Sequence, residues 1–310
     1  MELAMRRAVA AAGLGEVVAV ESIGIGGESE IFRVSVAGGD SVALRQFRRG
    51  AADRAQVEWG VLRHLAAAGF PVPRLYRLIE DEAMPGPALL MELIPGATAA
   101  RQGTIASLTP LLLQLHKIDP RPLVGAGRVW PDQDAAQLLV DPSQWSRMLG
   151  ARTFAVLTPA LAWVERALAA LTPEGPALLH TDWHGQNILY RGDGSPVVID
   201  WSSAAIGDPR FDVGYAVALL RIEGAPDLAA GILAAYEAGR GAPVADLAVF
   251  EALATLRRLG LFLTMMEEGG ERLGFQPAAI EQIRQARPYV TAHLRYLEGL
   301  TGLSLPAAAA

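Results

Sequence analysis

His180-Thr181-Asp182-Trp183-His184-Gly185-Gln186-Asn187, followed after two short apolar runs by Ile199-Asp200-Trp201, is the stretch that decides how this chain is read. The runs are Ile188–Tyr190 and Val197–Ile199, joined by Arg191-Gly192-Asp193-Gly194-Ser195-Pro196. Short β-prone runs around a Gly- and Pro-containing turn predict a hairpin. Such a hairpin brings Asn187 and Asp200 side by side at its open end. A carboxylate beside an amide oxygen is a hard-oxygen pair suited to magnesium, which takes one or two protein oxygens plus substrate phosphates. Asp182, five residues before Asn187, is then placed to accept a proton from a hydroxyl nucleophile.

Around this hairpin the chain is helical by period. Apolar spacing predicts helices over Ile105–His116, near Asp132–Leu149, and over Phe154–Leu171, Val213–Arg221, Asp227–Ala238, Val244–Glu268 and Pro277–Leu300. Upstream the pattern changes. Ile31–Val36 and Ser41–Phe47 read as strands joined by the turn Ala37-Gly38-Gly39-Asp40, and Leu75–Glu80 and Ala88–Leu93 as two more, with Met84-Pro85-Gly86-Pro87 between them. Between the pairs lies a helix over Ala52–Ala68, with Asp53 as N-cap and Gly69 as its stop; Pro71 and Pro73 prevent continuation. Arg6-Arg7 and the Ala-rich stretch around them predict an amphipathic first helix rather than a secretion signal. The fold class is therefore α+β and bilobal. A small sheet-rich lobe spans 1–95, Ile94-Pro95-Gly96 forms a tight linker, a larger helical lobe spans 96–305, and residues 306–310 form a frayed tail.

Composition narrows the function. The chain has 310 residues, 51% of them apolar, and a net charge of −6. That is ample for a packed core and poor footing for a nucleic-acid binder. There is no cysteine, which excludes disulfides, thiolate nucleophiles and Cys-based zinc sites. Lys117 is the only lysine, so a cation needed elsewhere has to be arginine. No apolar stretch approaches the roughly 20 residues of a membrane span, and a cytoplasmic location is expected.

The pattern His-x-Asp-x-x-x-x-Asn, with Ile-Asp-Trp after a short hairpin, resembles the aminoglycoside phosphotransferase family, small-molecule kinases related in fold to choline and homoserine kinases and more distantly to protein kinases. Asp182, Asn187 and Asp200 have the family's separations, and Ile206-Gly207-Asp208-Pro209-Arg210-Phe211-Asp212 resembles its Gly-Asp-Pro segment. The resemblance covers most of the chain and is strongest over 178–215. It implies a protein-kinase-like fold, ATP or GTP as donor, Asp182 as catalytic base, and Asn187 and Asp200 as magnesium ligands. It also implies that His180 braces the loop and that Asp212 is structural. Only Trp201–Ile206 separate Asp200 from Gly207, with no room for a peptide-docking activation segment, so the acceptor is expected to be a small molecule between the catalytic loop and the C-terminal helices.

The first lobe carries matching features. Gly24-Ile25-Gly26-Gly27-Glu28-Ser29 is either a phosphate-approaching turn, with Gly26, Gly27 and Ser29 as contacts, or an ordinary hairpin turn. Alternation puts Ala43, Arg45 and Phe47 on one strand face. In kinases a small residue two positions before a cation roofs the adenine while the cation holds the phosphates; here Arg45 stands in the usual lysine place. Glu58 falls on or beside the apolar stripe of Val61, Leu62 and Leu65, and an inward carboxylate needs a partner. Arg45 supplies one, and a surface pair with Arg54 is the alternative. Glu92 and Leu93, at the lobe junction, are nucleotide contacts by position alone. Glu267, Glu268 and Glu271 either receive a cationic acceptor, as acids there do in antibiotic-modifying relatives, or form a solvated helix end; the acidic balance also favours a cationic acceptor. Two other functions compete: a metal-dependent hydrolase using His180, Asp182 and His184, which leaves Asn187, Asp200, Arg45 and Glu58 unexplained, and a nucleotide sensor that needs no Asp182.

Overall fold

A computed structural model describes residues 2–25, 29–99, 108–124, 149–268 and 287–305. In the first lobe α1 (Glu2–Ala11) precedes β1 (Val17–Ile25), β2 (Ser29–Val36) and β3 (Ser41–Phe47). A 3₁₀ turn at Arg49–Ala51 leads into α2 (Ala52–Ala67), and β4 (Leu75–Ile79) and β5 (Ala88–Glu92) complete an antiparallel sheet of order β1-β2-β3-β5-β4.

β3 shows how sequence alternation becomes two buried faces. Val42 and Leu44 join Val34, Val36 and Leu90 under the apolar stripe of α1, where Ala4, Met5, Ala8 and Val9 are buried. Ala43, Arg45 and Phe47 alternate with them, and Phe47 packs with Leu62 and Leu65 of α2. The N-cap expected at Asp53 does not form. The chain enters α2 through the 3₁₀ turn, Ala51 is the cap residue with no side-chain bond, and Asp53 lies in the first turn, where its charge complements the helix dipole. Gly69 ends the helix with φ +73°, and Phe70 N–H closes back on Leu65 C=O.

Strand β1 was not legible in the pattern because it is an edge strand. Val18 is 66% exposed and Ile23 40%, so its apolar residues do not mark a core face.

In the second lobe come α3 (Leu108–Leu115), α4 (Arg121–Val124), α5 (Ala151–Ala169), β6 (Ala177–Leu179), β7 (Ile188–Tyr190), β8 (Pro196–Val198), β9 (Ala205–Gly207), α6 (Arg210–Ile222), α7 (Pro226–Arg240), α8 (Leu247–Glu268) and α9 (Arg287–Thr301). The expected hairpin is β7–β8, with Ile188 opposite Val198. β6 pairs antiparallel with β9, a ladder too short for periodicity to reveal. Most of the helix expected near Asp132–Leu149, residues 277–286 of the last expected helix and the tail 306–310 lie outside the described residues.

Two cores hold the second lobe. Leu157, Leu161, Phe211, Leu253, Leu256 and Leu297 tie α5, α6, α8 and α9 together. The other core crosses between the lobes: Phe47, Leu62 and Leu65 share it with Trp183, Ile188 and Trp201. The linker is pressed against the hairpin, since a Cβ on Gly96 would lie 1.5 Å from the Tyr190 carbonyl oxygen. Burial of both lobes in one apolar cluster fixes the first sheet over the catalytic loop.

Candidate active site

β6 delivers the chain to His180, and two buried interactions set the loop that follows. Asp212, at the start of α6 and fully buried, accepts the backbone N–H groups of His180 (2.7 Å) and Thr181 (2.8 Å). His180 Nδ1 accepts the Asp182 N–H (3.3 Å), so Nε2 carries the proton and donates to Ile199 C=O (2.9 Å). One imidazole thus joins the catalytic loop to the end of the hairpin, and Thr181 takes φ +68° to make the turn.

Asp182 emerges half-buried with both oxygens engaged. Oδ2 accepts from Asn187 Nδ2 (3.1 Å) and His184 Nε2 (3.3 Å). Oδ1 accepts the Tyr215 hydroxyl and lies 3.5 Å from Arg258 Nη1. Burial pushes its pKa up, but the His184 bond, the charges of His184 and Arg258 and the Tyr215 bond outweigh it and hold the carboxyl well below the usual range. The Tyr215 phenol is pushed well up, by burial first and by the Asp182 charge.

Asn187 also donates Nδ2 to the Asp182 carbonyl (2.9 Å), and its backbone carbonyl accepts Ile199 N–H, the hairpin bond next to Asp200. Its amide nitrogen is spent, which leaves the amide oxygen as the donor atom it could offer a cation. Asp200 sits at φ +66° and accepts Arg45 Nη2 (2.7 Å) and Ser202 Oγ (3.1 Å) on Oδ1. Burial raises its pKa, and the charge and hydrogen bond of Arg45 more than offset that, so it is lowered. An ionised carboxylate and an amide oxygen are a hard-oxygen donor set, and the residues present fit magnesium.

Arg45 reaches this point from the first lobe. Its Nη1 bonds Glu58 Oε1 at 2.9 Å and its Nε donates to Ser29 Oγ at 3.0 Å. The Arg45–Glu58 pair expected from the sequence is therefore present, while Arg54 bonds Ser203 Oγ instead (3.1 Å). Three partners on three nitrogens explain an arginine here, because a lysine ammonium cannot span them in one plane. Ala43 lies two residues before Arg45 on β3, buried. Gly26 and Gly27 lie outside the described residues.

Glu92 forks onto Arg191 (2.7 and 2.8 Å) and accepts Arg74 N–H, so its carboxylate ties β5 to the hairpin loop. Arg191 holds its pKa low. Leu93 follows at the junction, half-buried. Glu267 accepts the N–H groups of Arg152 and Thr153 and the Thr153 hydroxyl, which caps the first turn of α5. Glu268 follows it on α8, and Glu271 lies outside the described residues. Among the described residues no three His, Asp or Glu side chains group as a metal site. His180 has both ring nitrogens committed, and His184 Nδ1 accepts Gln186 N–H, which leaves no His-Asp-His metal set.

Three residues at the site were not singled out from sequence. Tyr215 and Arg258 sit in helices whose period marks them only as helix; a cation inside the apolar run of α8 was the available signal. Arg191 lies in a turn, where a charged residue ordinarily needs no partner.

A sequence model of the phosphotransferase enzyme family matches residues 19–253. The chain belongs to this family. The choline kinase of Streptococcus pneumoniae superposes with a TM-score of 0.66 at 18% identity, covering 94% of this chain and 99% of that one. A thermostable aminoglycoside phosphotransferase mutant, in a ternary complex with ADP and hygromycin B, gives 0.60 at 18% identity, covering 92% and 96%. These likenesses show a shared kinase-like fold. Acyl-CoA dehydrogenase family member 10 of Mus musculus is 26% identical over 180 residues, 51% of this chain and 16% of that protein. No helix among the described residues is long and apolar enough to cross a membrane.

Proposed function

We propose that this phosphotransferase moves the γ-phosphoryl group of ATP to a hydroxyl of a small molecule. The observation that carries the reading is a cluster: Asp182 and Asn187 are bonded at 3.1 Å within one loop, the Ile199 N–H to Asn187 C=O bond sets Asp200 next to that loop, and Arg45 reaches the Asp200 carboxylate from the opposite lobe at 2.7 Å. Kinase-fold phosphoryl transfer is mostly positioning and charge neutralisation, and this cluster supplies both.

Arg45, held by Glu58, presents a fixed positive charge to the phosphates, with Ser29, the glycines before it, Ala43 and the Glu92–Leu93 backbone around the nucleotide. Asn187 Oδ1 and the Asp200 carboxylate would hold magnesium, which would supply positive charge to offset that of the phosphates. Asp182 accepts a hydrogen bond from the acceptor hydroxyl and aligns it. The new bond from acceptor oxygen to phosphorus forms as the bond from phosphorus to the departing ADP oxygen breaks, and the hydroxyl proton passes to Asp182. Its depressed pKa suits a residue that orients first and takes the proton late, after the attacking oxygen has lost basicity.

The test is a pair of variants assayed with nucleotide and a panel of hydroxylated small molecules. Asp182→Ala is expected to lower kcat by about 10³-fold while ATP binding stays within a few-fold. Asp200→Ala is expected to abolish magnesium-dependent nucleotide binding. Transfer that survives Asp182→Ala, or nucleotide binding indifferent to Asp200, would defeat the proposal.

A further inference from the structure

The acceptor cleft has a chemistry of its own. An open cavity lies between α3, α6, α8 and the loop residues Trp183–Gln186 that follow Asp182. Leu108, Ala216, Leu219 and Leu220 give it apolar walls, and Trp183 and Arg258 complete them. Trp183 is 1% exposed, yet its indole Nε1–H has no hydrogen-bond partner among the described residues. That nitrogen is itself buried behind the cavity wall, so it offers the cleft no donor, and the charged donor in the lining is Arg258.

Arg258 is held as a tool rather than left as a surface charge. Its Nε donates to the Tyr289 hydroxyl (2.9 Å), its Nη1 to Tyr215, and its guanidinium lies 5.2 to 5.7 Å from the ring centroids of Phe262, Tyr289 and Tyr215. Nη2 makes no hydrogen bond among the described residues, which leaves one edge of the fork open. Two other titratable side chains line the cleft. His184 is turned to Asp182, and Glu223 is exposed at the rim, where water screens it. Glu267, which the sequence offered for a cationic acceptor, is occupied capping α5.

We propose that the acceptor is a hydroxylated carboxylic acid with an apolar body, its carboxylate received by Arg258. The claim rests on the phosphotransferase reading above and deepens it. Arg258 Nη1 is 3.5 Å from Asp182 Oδ1, so the hydroxyl offered to Asp182 and the carboxylate lie only a few bonds apart. The apolar remainder lies along the leucines. The overall charge of −6 does not decide the matter, because exposed acids elsewhere are screened over about 8–10 Å while Arg258 acts in contact.

Three probes that share a skeleton and differ in charge test this on the whole enzyme: 3-hydroxyoctanoate, 3-hydroxyoctanamide and 1-aminooctan-3-ol. Phosphate transfer from magnesium–ATP is measured, and binding is followed by thermal shift with a non-hydrolysable ATP analogue. A carboxylate preference of about tenfold or more over the amide, and more over the amine, is expected from one charge-assisted fork. Arg258→Gln is expected to bring carboxylate and amide within about threefold of each other. That ratio does not move if Arg258 merely braces Asp182. An amine used or bound as well as the carboxylate, or a preference that survives Arg258→Gln, overturns the inference. So does nucleotide binding with neither transfer to, nor a thermal shift by, the carboxylate, an outcome that leaves the phosphotransferase reading standing. Failure to bind magnesium–ATP at all defeats that reading instead.

Discussion

Replacing Arg45 by methionine separates the structural from the functional work of one side chain. Arg45 and Glu58 are 9% and 2% exposed and bonded at 2.9 Å. Removing the cation takes the 2.9 Å ion pair from a Glu58 carboxylate held in an apolar setting, with Trp201 N–H at 3.4 Å. Breaking a buried pair from one side costs about 3–5 kcal/mol. Asp200 also loses its 2.7 Å partner, but its side chain is 39% exposed and can hydrate, so it adds little. In Arg45→Met/Glu58→Leu the buried carboxylate is removed together with its cation, and at least about 2 kcal/mol of the single-variant loss is expected to return. Urea unfolding at pH 7.5 measures this as a midpoint lowered strongly in the single variant and partly restored in the double, with an unchanged m-value. Nucleotide affinity should behave differently. The phosphates need the cation itself, so KM for ATP is expected to rise about ten- to a hundredfold in both variants. A loss under about 1 kcal/mol for Arg45→Met, as for a surface pair, would refute the burial argument. Recovery of ATP affinity in the double variant would refute the phosphate assignment.

Other outcomes follow from the same structure. Burial holds the fully buried His293 imidazole down at about 4, with Nδ1–H on Tyr289 C=O and Nε2 unpartnered. Its folded pKa lies below the unfolded value near 6.5, so its contribution is intact above 6.5 and is lost as pH falls towards 4. The drop is up to about 3 kcal/mol, read by urea midpoints across that window, and should flatten in His293→Leu. Asp212→Ala strands the N–H groups of His180 and Thr181; a loss of about 1–3 kcal/mol per group is expected, with a fall in kcat because the loop carries Asp182. Gly96→Ala drives a Cβ into the Tyr190 carbonyl and is expected to cost about 2 kcal/mol or more by thermal unfolding, while Gly192→Ala, with open space around it, costs little.

The sequence alone determined what short spacings can carry. Periodicity located α2, the β7–β8 hairpin and helices α3, α5, α6, α7, α8 and α9, because side-chain direction repeats every two or 3.6 residues whatever the distant chain does. The intervals brought Asn187 and Asp200 together in the reading, because a tight hairpin forces its two ends together, with Asp182 five residues away on the same loop. An inward carboxylate at Glu58 demanded a buried cation, since charge in an apolar setting is costly, and Arg45 met that demand. Only the tertiary structure decided the rest. The edge strand β1 and the short β6–β9 ladder gain their form from partners far along the chain, not from local pattern. Tyr215 and Arg258 read as ordinary helix residues until α6 and α8 pack against the catalytic loop and turn them onto Asp182. The open donor at Arg258 exists only as a difference between what the side chain can bond and what the folded chain provides, and no sequence interval records that balance.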